Sequence, residues 1–219
     1  HILEMGTKTV WNDNCEMDGV EDREAQCDFE GQKGTMAELK ILHSNMMAYT
    51  AKQALHEVYP GERPYIINRA GYAGIQRYAQ VWGGDNLTDW RTLKFNIATI
   101  LGMGCDIGGF AGPAPEEELL LRWIQNGVLQ PRFCLNSANN DNTVTQPWMY
   151  EKMLPHIRAA YRLRYRMLPY LYSLFYESSQ DGMPIWRPLF LEFPQDPQCY
   201  GDQSLTFMLG SSILVASVV

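Results

Sequence analysis

Positive charge is scarce in this sequence. Over 219 residues, 18 Lys and Arg stand against 25 Asp and Glu, a net charge of −7. Nucleic-acid binders need clustered cations to meet phosphates, so nucleic acid is excluded as a partner. Long apolar runs are missing too. No segment reaches the ~18 consecutive apolar residues of a membrane span, so no membrane partner is expected. The opening HILEMGTKTVW lacks the basic-then-apolar order of a secretory leader. Cysteine is sparse and odd in number: Cys15, Cys27, Cys105, Cys134 and Cys199 include no C-x-x-C pair. That excludes the common zinc signatures and argues against a disulfide scaffold, so a reducing, cytoplasmic compartment is expected. His1, His43, His56 and His156 lack metal-ligand spacing. Gly102-Met103-Gly104 has Ile107 where a dinucleotide loop wants its third glycine. No metal and no cofactor is expected.

What is present is an ordinary globular composition, 46% hydrophobic and 20% charged. Thr7 to Trp11 reads as a short strand, and residues 15–34 as an acidic loop. Thr35-Met36-Ala37-Glu38 is a capping box, opening a helix that runs to about Glu57. Pro64 to Arg69 and Gln76 to Trp82 read as strands, and Asp89 as the cap of a helix to Leu101. A short strand and turn spans 102–109. A helix follows Pro115, and a strand runs from Val128 to Leu135. Trp148 to Ser178 is a long aromatic-rich helical stretch, with Pro155 and Pro169 expected to break or kink it. After Gly182-Met183-Pro184 the pattern turns to short strands: 185–191, 204–209 and from Ile213 onward. Arg158, Arg162, Arg164 and Arg166 read as a solvated basic face. Both ends read as cuts through a longer chain.

Strands alternating with helices predict an α/β fold with a parallel sheet and crossover helices. Asp13, Arg69, Asp85, Asp106 and Asn136 each fall at a strand end. In a (β/α)8 barrel those ends share the face that carries the active site. Two of them stand out. Trp11-Asn12-Asp13-Asn14-Cys15-Glu16 and Trp82-Gly83-Gly84-Asp85-Asn86 each place a carboxylate close after a Trp. Two such carboxylates suit glycoside hydrolysis: one attacks the anomeric carbon, the other protonates the leaving oxygen. Equally, Asp13 and Asp85 could close turns or cap helices.

The sequence WNDNCE, then RAGYAGIQRYAQVWGGDN, MGCDIGGF, ELLLRWIQNGVLQPRF and RYRMLPYLYSLFYESSQDGMPIWRPLFLEFP resembles the successive signatures of glycoside hydrolase family 31, the family of α-glucosidases and α-xylosidases. The resemblance covers nearly the whole chain. It implies a partial (β/α)8 TIM barrel over 1–181, about strands 4–8, followed over 182–219 by the start of an all-β sandwich. It implies a retaining α-glycoside hydrolase acting by double displacement on terminal α-linked glucosyl or xylosyl residues of an oligosaccharide or other α-glycoside. A transglycosylase on the same fold, or a degenerate non-catalytic relative that binds carbohydrate, is the alternative. By position, Asp13 matches the nucleophile and Asp85 the acid/base. Trp11, Arg69, Trp82, Asp106, Phe110 and Asn136 match substrate-binding groups, and Glu16 a supporting hydrogen-bonding residue. Two positions depart from the family pattern. Cys15 stands where an amide is usual, and Asn136 where a His is usual. A chain lacking the earlier strands is expected to be inactive alone and to self-associate through its open edges.

Overall fold

The computed structural model describes residues 2–16, 19, 21–29, 31–99, 104–201 and 205–219. Its contacts divide it into two compact units, His1–Trp82 and Gly83–Val219.

In the first unit, strand β1 (Thr9–Asn12) leads through a polar hairpin, β2 (Gln26–Phe29) and β3 (Gln32–Thr35), into helix α1 (Met36–Val58). Strand β4 (Tyr65–Asn68) then pairs in parallel with β1, Thr9 opposite Tyr65 and Asn12 opposite Asn68. A short strand β5 (Gln80–Val81) joins its other side, so β4 is central. Helix α1 starts where Thr35 N donates to Glu38 Oε2 at 3.0 Å, the reciprocal half of the capping box. It packs against β4 and buries Met36, Leu39, Ala48 and Leu55, and Ile66 and Ile67 of β4 are buried as well. Two expectations change here. Part of the 15–34 segment is a hairpin, and Ile75–Arg77 is a single turn of 3-10 helix, so β5 is far shorter than 76–82.

In the second unit, α2 (Trp90–Thr99), β6 (Ala111–Gly112), α3 (Glu117–Gly127), β7 (Ala138–Asn139) and α4 (Leu154–Asp181) precede β8 (Trp186–Pro188), α5 (Leu189–Glu192), β9 (Thr206–Leu209) and β10 (Ile213–Ala216). The expected cap of α2 is present, Asp89 Oδ1 accepting from Thr92 N at 2.6 Å. Strands β6 and β7 pair in parallel, and a single parallel bridge joins Asp106 to Cys134. Strands β8, β9 and β10 form an antiparallel sheet with β9 in the middle. One apolar core runs through this unit: Trp123 and Ile124 of α3, Leu171 and Leu174 of α4, Trp186 of β8 and Phe207 of β9. The rings of Trp186 and Phe207 stack with centroids 3.9 Å apart.

Helix α4 continues unbroken through Pro169. Residues 102 and 103, in the expected strand over 102–109, lie outside the described residues. The expected strand from Val128 to Leu135 is instead mostly turn, with one bridge at Cys134. Arg164 of α4 explains this. Its guanidinium donates to the carbonyls of Val128, Gln130 and Pro131, which a strand would need for its ladder. Arg164 is therefore a clamp, not part of a solvated face. The 185–191 strand ends at Pro188, where α5 begins. Among the described residues no helix is long and apolar enough to cross a membrane.

Candidate active site

Parallel pairing of β1 and β4 brings their C-terminal ends level. Asn12 Nδ2 donates to Asn68 Oδ1 at 2.8 Å, and Asn68 Nδ2 to Ser44 O of α1 at 2.7 Å. Arg69 N then donates to Asn12 O at 3.1 Å. The next residue on each strand is the one the motifs single out: Asp13 after β1, Arg69 after β4.

Arg69 gathers the loop after β1. Nη1 lies 3.0 Å from Asp13 Oδ1, Nη2 donates to Asn14 Oδ1 and, at 3.1 Å, to Glu16 Oε2, and Nε pairs with Glu16 Oε1. Two parallel N–H···O bonds to one carboxylate are the strong, directional mode of arginine. The loop bends at Asn14, whose φ of 50° is left-handed, a conformation asparagine tolerates well. Asn14 N donates to Asp13 Oδ1 at 2.8 Å. For Glu16, burial pushes its carboxyl up, but the Arg69 hydrogen bond, its own backbone N–H and the Arg69 charge outweigh it. Glu16 is held below the ordinary carboxylate range.

Cys15 is fully buried, and its Sγ accepts from Ala70 N at 3.2 Å and lies 3.8 Å from Ala70 O. A thiol is a weak donor and acceptor, and here it meets both backbone groups of the residue after Arg69. Cys15 O accepts from Ser44 Oγ at 2.8 Å. Cys15 thus ties the loop to β4 and α1 in place of an amide. Trp11 and Trp82 lie with ring centroids 4.7 Å apart; Trp11 is exposed and Trp82 buried.

In the second unit Asp85 is exposed, between the buried Gly84 and the half-buried Asn86. Asn86 Nδ2 donates to Gly83 O at 2.7 Å, and Phe110 N donates to Asn86 O at 2.7 Å. Gly109, just before Phe110, has φ +85°. A Cβ there would stand 2.6 Å from Thr88 Cα, so only glycine fits. Asn86-Leu87-Thr88 is a glycosylation sequon, but its amide is spent on Gly83 and Asn96.

Asp106 is 1% exposed. Arg132 Nη2 donates to its Oδ1 at 3.1 Å, and Asn136 Nδ2 to its Oδ2 at 3.4 Å. Burial pushes the Asp106 carboxyl above its usual range. The charge and hydrogen bonds of Arg132 and Asn136 oppose that, and the Asp85 charge adds to it. Arg132 also donates to Cys105 O at 3.1 Å, and its stem passes so close to Gly104 that a Cβ there would lie 2.6 Å from Arg132 Cβ.

The structure therefore brings Trp11, Asp13, Glu16, Arg69 and Trp82 together in one unit. In the other, Asp106 and Asn136 are in contact, Asp85 acts electrostatically on Asp106, and Phe110 is joined to the Asp85 loop by its backbone. Sequence reasoning missed Arg132. The available signal was a cation inside the apolar run Val128 to Leu135, where a charge must find a partner. Among the described residues no cluster of His, Cys, Asp and Glu is placed to hold a metal.

Residues 1–174 match the glycosyl hydrolases family 31 TIM-barrel domain, and residues 182–219 the glycosyl hydrolase family 31 C-terminal domain. The chain belongs to glycoside hydrolase family 31. Among curated members of the family, a probable glucan 1,3-alpha-glucosidase of Oryza sativa subsp. japonica is 42% identical over 72% of this chain and 18% of its own length. Alpha-glucosidase 2 of Bacillus thermoamyloliquefaciens is 34% identical over 99% of this chain and 29% of its own. The chain thus spans under a third of these two relatives. A family 31 dextranase of Flavobacterium johnsoniae, solved in complex with glucose, superposes with a TM-score of 0.86 at 28% identity, covering 99% of this chain and 29% of that one. A family 31 alpha-xylosidase from a soil metagenome, complexed with xylose, superposes equally well at 27% identity, covering 36% of its own length.

Proposed function

We propose that this chain carries the catalytic carboxylates of a retaining α-glycosidase acting on terminal α-linked glucosyl or xylosyl residues. The observation that carries the reading is the Arg69 fork. It pins Asp13 through Oδ1 at the end of a parallel strand and leaves Oδ2 as the attacking oxygen. Asp13 attacks the anomeric carbon while Asp85 gives its proton to the departing oxygen, and a glycosyl ester forms on Asp13. Asp85 then takes a proton from water, which displaces Asp13 and releases the sugar. A sugar hydroxyl in place of that water makes the same site a transglycosylase. The exposed Trp11 ring, packed against the buried Trp82, offers its face to the sugar, and Phe110 is a further substrate-binding side chain. Asp106 acts through Asn136, whose amide meets a hydroxyl.

Cys15 and Asn136 are the departures that motivate the alternative of a degenerate relative. The contacts of Cys15 with Ala70 support the catalytic reading instead, because the loop is held without the usual amide. In the same reading, residues 1–181 are about strands 4–8 of the barrel and 182–219 begin the β-sandwich. We place the protein in the cytoplasm, which suits five free cysteines. Self-association of the isolated chain is tested by light scattering. The function is tested by assaying the full-length protein that contains this chain on p-nitrophenyl α-glucoside and α-xyloside. Turnover lost in Asp13→Asn supports the proposal; turnover retained refutes it.

A further inference from the structure

Asn96 faces inward on α2 beside Leu93 and Ile97, and it is 3% exposed. An amide in such a place is costly unless its polar atoms are engaged. Its Nδ2 donates to Asn86 Oδ1 at 2.8 Å.

Asn86 is the residue after Asp85, and it closes the turn around it from every side. Its Nδ2 donates to Gly83 O at 2.7 Å and its backbone N to Gly84 O at 2.9 Å. Its backbone O accepts from Phe110 N at 2.7 Å and Ala111 N at 3.0 Å. Gly83 N is itself anchored on Gly104 O at 2.8 Å. Asp85 is thus an exposed residue in a turn whose two flanks are bound to each other and to two further segments. Asn96 supplies the bond that fixes the Asn86 amide from the helix behind.

We infer that Asn96 is a positioning residue for proton transfer at Asp85, acting through Asn86. The inference rests on the reading of Asp85 as the general acid. In the step concerned, the Asp85 carboxyl gives its proton to the glycosidic oxygen as the bond to the anomeric carbon breaks. That bond's electron pair leaves with the oxygen. The acid must stand within about 2.6–3.2 Å of that oxygen. A misplacement of about 1 Å costs roughly 10²-fold. Without the Asn96 donor, Asn86 Oδ1 is left unmatched and the turn can shift.

The test uses the full-length protein with two substrates, phenyl α-glucoside, which needs the proton, and 2,4-dinitrophenyl α-glucoside, whose leaving group departs without it. Asn96→Ala is compared with wild type and with Asp85→Ala, and Asn96→Ser covers the case in which alanine collapses α2. The Asn96 variants should lose about 10²-fold in kcat/KM on the phenyl substrate and almost nothing on the dinitrophenyl one. Asp85→Ala should show the same split, more steeply. Equal losses on both substrates, or none on either, in a folded Asn96 variant overturn the inference. If Asp85→Ala itself loses both equally, the acid assignment fails and the inference falls with it. If Asp85→Ala shows the split and Asn96 does not, the inference alone fails.

Discussion

Arg69 Nη1 lies 3.0 Å from Asp13 Oδ1, and the same guanidinium holds both oxygens of Glu16. One cation at the end of β4 thereby sets the position of the loop that follows β1. Lysine has the charge without the planar fork, so it can hold one carboxylate but not this arrangement. Arg69→Lys in the full-length protein should lower kcat/KM on an α-glucoside by about 10²-fold while circular dichroism stays native. Unchanged kinetics would show that the fork does not matter to Asp13.

Glu16 gives a pH dependence of definite sign. Its folded pKa is below the ordinary 4.5 because Arg69 outweighs burial. Its stabilising contribution is therefore complete above the unfolded value and is lost as pH falls through the folded one. Urea midpoints of the wild type should exceed those of Glu16→Gln at pH 7 and converge with them in strong acid. A gap that stays constant into strong acid contradicts the assignment.

Asp106 has the opposite sign. Its folded pKa is above 3.8, so between the unfolded and folded values the native state keeps a proton that the unfolded state releases. Stability falls as pH rises through that window. Arg132→Met removes its buried countercharge and should cost about 3–5 kcal/mol at neutral pH. The deficit should shrink in acid, where Asp106 becomes neutral. Thermal melts at neutral and acidic pH measure it, and a deficit independent of pH refutes the pairing.

Gly109→Ala would press a Cβ onto the Thr88 backbone at a left-handed φ. The strain should cost about 1–3 kcal/mol. Because Phe110 N and Ala111 N both bind Asn86 O, it should also lower turnover. A fully stable, fully active alanine variant would mean that Thr88 moves aside freely.

Some of this was legible in the sequence because the deciding chemistry is local. Thr35 and Glu38 announce α1 within one turn, and the apolar run Tyr65-Ile66-Ile67 marks β4. The hairpin over Gln26–Thr35 was not legible, since its residues are mostly polar and only half-buried at best. The run from Val128 to Leu135 misled because apolar content alone suggests a strand. What decides that segment lies far away in sequence: Arg164 takes its carbonyls, while Gln130 and Arg132 turn toward Cys105 and Asp106. The site shows the same division. Asp13 and Asp85 sit in short motifs with tryptophan, whereas Arg132 and Asn96 matter only through partners ten or more residues away.

The central claim is that Asp13 is the nucleophile. It is tested most directly by incubating the full-length protein with a fluorinated α-glucoside that carries an activated leaving group, then mapping the labelled peptide by mass spectrometry. The sugar should be found as an ester on Asp13, with labelling abolished in Asp13→Asn. A label on any other carboxylate, or one that survives in Asp13→Asn, would contradict it.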